Sequence, residues 1–503
     1  MWTSPYPAVP VGGTTLPALV EAAAVAHPER TALVDGPSGA AVSYAELQRR
    51  VARISGWLAG PGGVGPGDTV ALWSPNTPPW AACALAAMRV GAAVTAMNPQ
   101  WTEREAATQL ADAGATVVVT VPRLVEVARG LPGVRHVVVL GSAPGATPLS
   151  TLLSTPDGPA AADPEAVALV PYSSGSTGLP KGVLLTHANL VTAVRQVRAV
   201  TRIGPRDTVL ALAPFSHVLG SVVTLAVPLA AGATVVVVPK LEPATLPGLI
   251  DRHQVTFTAV PPPVAAVLAG GPALPSLELV AVGGAPLPPA GHEALAARLP
   301  GCVVGQGWGL TETTAGVCVP DRVDPTPPGT VGRLLPNTEL LVVDPATGKQ
   351  LGPGRAGELW VRGPQVMAGY RHRPAETAAT LDPAGWLHTG DVGCIDAGGV
   401  VSIVDRLKEL IKVDGFPVAP AELEALLVTH PDVADAAVVG RPDDRHGEVP
   451  VAYVVPAGRV DGAEVAAWMA GRVAPYKRLA QVVTVDGLPR TPSGKLLRRE
   501  LPR

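Results

Sequence analysis

Ala166-Val167-Ala168-Leu169-Val170-Pro171-Tyr172-Ser173-Ser174-Gly175-Ser176-Thr177-Gly178-Leu179-Pro180-Lys181-Gly182 decides how this chain is read. An apolar run of strand length opens into a loop of glycines, hydroxyls and one lysine. Gly175, Gly178 and Gly182 let backbone N–H groups approach an anion; Ser173, Ser174, Ser176 and Thr177 add hydroxyl donors, and Lys181 adds charge. A loop of this composition is ordinarily only a flexible connection, but the strand before it and the single lysine favour an anion site. It is not a Walker A loop. Pro180 precedes the lysine, and Gly182 follows where Ser or Thr would hold magnesium. The stretch predicts a nucleotide phosphate without P-loop kinase or GTPase chemistry.

Outward from this loop, strand-length runs at 115–121, 166–172, 234–239, 256–260, 277–282 and 302–305 alternate with helix-like segments at 16–26, 44–58, 103–113 and 188–200. Such βα alternation predicts sheets with helices packed on them. From about Asp324 the pattern changes to short strands at 339–343, 358–362 and 400–404 between Gly/Pro turns, which predicts a small barrel-like subdomain. A helix at 420–428, further strands and a basic end follow. The fold class is therefore α/β. A large N-terminal domain of βα-layered subdomains carries the barrel-like part, and an α+β domain ends the chain.

Composition excludes several classes. The 503 residues, at about 150 per domain, make three or four folding units. Hydrophobic residues are 47% and charged ones only 16%, so large cores can be buried. A net charge of −3 is too balanced for a dedicated nucleic-acid binder. Cys83, Cys302, Cys318 and Cys394 form no CxxC pair, which argues against a zinc ribbon or disulfide scaffold and fits a reducing cytoplasm. The N-terminus has neither a basic region nor an apolar run of signal-peptide type. Residues 208–239 contain no Asp, Glu, Lys or Arg, and 218–238 is long enough to span a bilayer. Pro228, Gly220, Gly232 and the β-branched end instead predict a buried helix, a turn and a buried strand, with no membrane insertion.

The 172–183 string resembles the signature loop of the adenylate-forming superfamily, which includes acyl- and aryl-CoA synthetases, luciferases and peptide-synthetase adenylation domains. Four more segments follow in that family's order. Gln306-Gly307-Trp308-Gly309-Leu310-Thr311-Glu312 resembles the adenine and magnesium segment, and Trp386-Leu387-His388-Thr389-Gly390-Asp391 the ribose segment. Residues 405–422 resemble the interdomain hinge and the loop after it, and Pro492-Ser493-Gly494-Lys495 the catalytic-lysine loop. The subgroup most resembled is that of 4-coumarate–CoA ligase-like enzymes. The resemblance implies an N-terminal adenylation domain over 1–405 (barrel-like part about 324–405), a hinge at 406–410 and a mobile lid at 411–503.

It also implies a two-step reaction. A carboxylate attacks the α-phosphate of ATP to give acyl-AMP and pyrophosphate, and a thiol, usually that of coenzyme A, then displaces AMP. By resemblance Lys495 neutralises charge between phosphate and carboxylate, Glu312 holds Mg²⁺, and Thr311 touches the α-phosphate. Gly284, Ala285 and Gly307 line the nucleotide, Trp308 stacks on adenine, Asp391 accepts from the ribose hydroxyls, and Arg406 accompanies it. Lys408 occupies the pivot, while Lys412 and Gly415 line the thiol tunnel. Only seven of the 38 basic residues are Lys, and Lys181, Lys408, Lys412 and Lys495 all fall in these segments. A compact point charge suits such places where Arg's planar fork does not.

His217, in Pro214-Phe215-Ser216-His217-Val218-Leu219-Gly220, is placed by resemblance beside the substrate carboxylate. Val218, Gly283, Gly309 and Gly316 belong to the acid pocket. The pocket segments are small and apolar, and the acid-free 208–239 stretch offers no partner to an α-ammonium. An apolar carboxylic acid (aryl, medium-chain or polycyclic) is expected, not an amino acid. Two departures touch the second step. Asp414 puts an acid next to Gly415, and Pro417 removes an N–H there. Both keep a carrier-protein pantetheine open as the acceptor in place of free coenzyme A. A degenerate member that only binds nucleotide is a further alternative, opposed by intact Lys181, Glu312, Asp391 and Lys495.

Overall fold

Two sheets with helices packed on them carry the first three hundred residues of the computed structural model. It describes residues 1–174, 180–414, 416–443, 445–458, 460–490 and 496–501, without the side chains of Ser174, Pro417 and Arg499. The first sheet has nine strands, ordered Tyr172–Ser174, Pro180–Thr186, Val167–Leu169, Ala93–Ala96, Thr69–Trp73, Val117–Thr120, His136–Val139 and Thr147–Pro148, with Gly369–Tyr370 added to Pro180–Thr186. The second runs Val303–Gln306, Leu279–Val282, Phe257–Val260, Thr208–Ala211, Thr234–Val237, Thr31–Asp35 and Ala41–Ser43, parallel except at its last strand.

Helix starts follow local chemistry. Thr15 caps Leu16–Ala26 by accepting from the Ala18 N–H, and Thr102 with Glu105 closes a capping box on Glu103–Ala113. The 166–172 run, however, is not one strand. Val167–Leu169 ends before Pro171, which has no N–H for the ladder, and Tyr172–Ser174 folds back along Pro180–Thr186. This antiparallel register sets Ser173 opposite Lys181.

The acid-free stretch forms strand Thr208–Ala211, a π-helical segment Leu219–Ala226, a turn of α-helix Val227–Ala230 and strand Thr234–Val237. A Cβ on Gly220 would lie 2.2 Å from the Pro214 carbonyl oxygen, so only glycine fits this bend. No described helix is long and apolar enough to cross a membrane.

The third sheet is antiparallel and six-stranded: Trp2–Thr3, Glu339–Val343, Gly357–Arg362, Leu387–Ile395, Val400–Arg406 and Gly332–Arg333. Its first edge strand comes from the N-terminus, which the sequence pattern did not indicate. Val400–Arg406 leads through the turn Leu407–Glu409 into a fourth sheet of Phe416–Val418, Ile411–Val413, Gly447–Pro456, Val433–Asp443 and Gln481–Thr484. Helices Pro420–Leu427 and Gly462–Ala470 cover it around a core of its own that includes Val418, Leu423, Val438, Val454 and Met469. Asp405 Oδ2 accepts the Ala421 N–H at 2.9 Å and ties the third sheet to the first of these helices.

Candidate active site

The phosphate-loop hairpin, the Thr311–Thr313 turn and the Gly369–Tyr370 strand meet at one carboxylate. Glu312 is 8% exposed, and its Oε1 accepts from Ser173 Oγ at 3.0 Å and from the Tyr370 hydroxyl at 2.8 Å. Burial, then the nearby Glu312 charge, raises the Tyr370 pKa well beyond the usual phenol range, so the hydroxyl stays a donor. Thr311 is half-buried at the start of the same turn. Lys181 lies 2.7 Å from Glu376 Oε2, with its ammonium 5.1 Å from the Tyr370 ring centroid. Tyr370 and Glu376 were not among the residues singled out from sequence. They arrive through the pairing of Val183 with Tyr370, a contact without a local sequence signal. Ser174 is placed through its backbone, opposite Pro180. Gly175, Ser176, Thr177 and Gly178 lie outside the described residues.

A second buried carboxylate lies where the second and third sheets come together. Asp391 is 3% exposed; its Oδ2 accepts from the Trp308 indole N–H at 2.8 Å, and its Oδ1 lies 2.6 Å from Arg406 Nε. Asp391 and Arg406 are cross-strand neighbours in the third sheet. Trp308 follows strand Val303–Gln306 and exchanges backbone hydrogen bonds with Cys318, while the Gly307 N–H is bound to the Val282 carbonyl. Gly309 must be glycine, because a Cβ there would sit 2.0 Å from the Ala315 oxygen. The chain returns toward it through Thr314 and Ala315 at φ 52° and 92°, a strained left-handed pair. Glu312 follows Trp308 by four residues, which joins the two carboxylates through one short segment.

His217 is exposed just before the π-helical segment, and its Nδ1 accepts the Leu219 N–H at 3.2 Å. In the neutral ring the proton then lies on Nε2. Buried Asn76 shapes this segment: it donates to the Ala213 carbonyl at 2.9 Å and accepts from the Phe215 N–H at 2.8 Å. Its part was not legible in sequence, since 139 residues separate it from Phe215. Val218, Ala281, Val317 and Trp308 are all buried in the large hydrophobic core that runs through the first two sheets and into the third. Gly283 and Gly284 follow strand Leu279–Val282, with Ala285 half-buried beside them. Gly316 is buried against Leu335.

Beyond Arg406, Lys408 is exposed in the Leu407–Glu409 turn. Lys412 is exposed on its strand, its N–H bound to Glu448 Oε2 at 2.7 Å. Gly415 and Lys495 lie outside the described residues. Asp414, with φ 49°, has His446 Nδ1 at 2.9 and 3.0 Å from its two oxygens.

Comparison with known proteins is consistent with this geometry. The sequence profile described as "AMP-binding enzyme" matches residues 20–371, and the one described as "AMP-binding enzyme C-terminal domain" matches residues 422–495. The chain is 41% identical to 4-coumarate–CoA ligase 5 of Oryza sativa subsp. japonica over 94% of its own length and 91% of the relative's. It is 36% identical to peroxisomal OPC-8:0-CoA ligase 1 of Arabidopsis thaliana, over 95% and 91%. ATP-bound MatB from Rhodopseudomonas palustris superposes with a TM-score of 0.89 at 29% identity, covering 97% of this chain and 98% of that one. A buried pair of carboxylates flanking an aromatic residue, within this order of sheets and matched along nearly its whole length, means that the chain belongs to the AMP-binding enzyme family, as an AMP-forming acid–thiol ligase of the 4-coumarate–CoA ligase-like group.

Proposed function

We propose that the protein activates an apolar carboxylic acid with ATP to acyl-AMP and pyrophosphate, then passes the acyl group to coenzyme A with release of AMP. The observation that carries this reading is the pair of buried carboxylates, Glu312 and Asp391, tied by Ser173, Tyr370, Trp308 and Arg406 to three of the segments expected to touch nucleotide: the glycine-rich hairpin, the 306–312 segment and the 386–391 segment. Asp391 presents acceptors to the ribose hydroxyls, and Trp308 gives its ring face to adenine. The hairpin places Ser173 and Lys181 side by side, so Lys181 exchanges its contact with Glu376 for phosphate oxygens when ATP binds.

Glu312 fits a magnesium ligand. It offers a hard carboxylate oxygen, and no group of three or more His, Cys, Asp or Glu forms a complete metal cage among the described residues. Mg²⁺ characteristically completes its shell from phosphates and water. When bound, the ion supplies neutralising charge at the phosphates. Ser173 and Tyr370 hold Oε1 and so fix the direction in which Oε2 points. The substrate carboxylate is already ionised near neutral pH, and the reaction therefore needs alignment and charge neutralisation more than proton transfer. His217 is proposed to orient that carboxylate, and Lys495 to bridge it to the α-phosphate.

The small, apolar residues of the expected pocket segments, Val218, Ala281 and Val317 among them, support a hydrocarbon-rich acid. For the acceptor, both oxygens of Asp414 lie within hydrogen-bond distance of the His446 ring, so the carboxylate is not left open toward the thiol donor. This favours the free cofactor over a carrier-protein pantetheine. The four cysteines are unpaired thiols, which suits the cytoplasm we propose as its compartment. The test mixes protein, ATP and magnesium with a panel of acids, and measures pyrophosphate, AMP and acyl-CoA with and without coenzyme A. Acyl-CoA formed from an apolar acid supports the reading. Pyrophosphate without acyl-CoA points to a carrier-protein acceptor, preference for an amino acid overturns the pocket assignment, and no pyrophosphate from any acid leaves only a nucleotide-binding protein.

A further inference from the structure

We infer that Trp308 is a positioning residue for ribose recognition: its indole N–H orients the Asp391 carboxylate, so that adenine stacking and selection of a ribonucleotide are coupled through one side chain. The inference rests on the ATP-site reading above and deepens it. An aromatic ring stacks on adenine whether or not it carries a donor, so stacking alone requires no N–H. Here the indole is 8% exposed, and its N–H is spent on the 3% exposed carboxylate at 2.8 Å. A buried carboxylate needs charge-assisted donors to remain ionised, and their number and direction set its plane.

Asp391 is held from two different parts of the fold, by an ion pair and by a hydrogen bond. Arg406 comes from the neighbouring strand of the third sheet and meets Oδ1 at 2.6 Å, while Trp308 comes from beyond the second sheet and meets Oδ2. Arg406 bears on one oxygen and the indole N–H on the other, so the indole adds a directed hold on Oδ2 that Arg406 does not supply. A carboxylate has about four acceptor sites, so donors on its two oxygens do not by themselves bar a vicinal diol from donating to the same group. The ligand class read by this arrangement is a purine ribonucleotide with both ribose hydroxyls present.

The experiment measures binding of ATP, 2′-deoxyATP and 3′-deoxyATP by calorimetry to the full chain and to Trp308→Phe, which keeps a stacking ring and loses the donor. The ratio between nucleotides is the readout, since reduced ring area weakens all three alike. The unaltered protein is expected to prefer ATP by about tenfold, the scale of one hydrogen bond to a charged group. In Trp308→Phe that preference falls to about twofold while binding of the deoxy analogues shifts by less than about threefold. An unchanged ratio, with all three nucleotides weakened equally, overturns the inference and leaves Trp308 as a stacking platform. Absence of ATP binding by the unaltered protein overturns the ATP site itself, an outcome distinct from an unchanged ratio. If Trp308→Phe loses its cooperative thermal transition, benzothienylalanine incorporated at position 308 keeps the indole shape without the N–H and gives the same two readings.

Discussion

Asp391 is 3% exposed between Trp308 and Arg406, whereas Asp414 and its partner His446 each leave 48% of their side chains in solvent. Both aspartates lie in segments assigned to substrate, one on the nucleotide side and one on the thiol side. The buried one is held from two sheets, because removing a charge from water is costly unless donors replace the solvent. Its geometry is therefore set before any ligand arrives. The exposed pair is screened and contributes about 0–1 kcal/mol, so exchanging its partners costs little. On the function proposed above, the rigid half would align ATP and the loosely tethered half would admit the acceptor, as two steps in one site require.

The largest effect is expected at a second buried ion pair, which tests whether buried charges in this fold depend on their partners. Arg322 is 8% exposed and lies 2.9 Å from Asp207, itself 1% exposed, below the second sheet. Arg322→Leu leaves that buried carboxylate without its cation, with the Gly204 N–H and the Thr256 hydroxyl left on it, and should cost about 3 kcal/mol in urea unfolding. A loss under 1 kcal/mol would mean that buried charges here do not need their partners, and the contrast would fail. Next comes Lys495→Ala, expected to slow adenylation by about 10²–10³ while leaving thioester formation from supplied acyl-AMP near its original rate. Equal loss of both steps would show that the two halves do not act in turn.

A third test uses pH. His187 is 1% exposed and its Nδ1 accepts the Leu16 N–H at 3.2 Å; burial, opposed in part by Asp163, lowers its pKa to about 4. The unfolded ring takes up a proton below its ordinary pKa while the folded ring stays neutral. Stability is thus complete above about pH 6.5 and declines as pH falls toward 4, by about 2 kcal/mol at pH 5. Melting curves from pH 7 to 5 should fall more steeply for the unaltered protein than for His187→Gln; parallel slopes would remove His187 from the account. The smallest effect is expected on the exposed half. His446→Ala should change stability by no more than about 1 kcal/mol and leave pyrophosphate exchange intact, while the KM for coenzyme A rises about two- to threefold. A large stability loss there would blur the distinction between the two halves.

Helices Leu16–Ala26 and Glu103–Ala113 match the sequence reading to the residue, because Thr15, and Thr102 with Glu105, cap them through contacts only three residues apart. Strand ends were less legible. The 166–172 run divides at Pro171, and the edge strand Trp2–Thr3 pairs with Glu339–Val343 across more than three hundred residues. Trp308, Glu312, Asp391 and Arg406 stood out because each sits in a short segment that resembles a motif of the adenylate-forming superfamily. Asn76, Tyr370 and Glu376 did not, because each acts on a segment brought near only by folding.

The order of motifs, the helix starts and the small residues at Gly220 and Gly309 were determined by the sequence itself, since each depends on neighbours within a few positions or on a motif read as a unit. The tertiary structure decided which atom meets which: Tyr370 on Oε1 of Glu312, the indole N–H on Oδ2 of Asp391, Glu376 on Lys181. Those pairings span 58, 83 and nearly two hundred residues and are set by strand register and sheet packing, which local propensity does not encode.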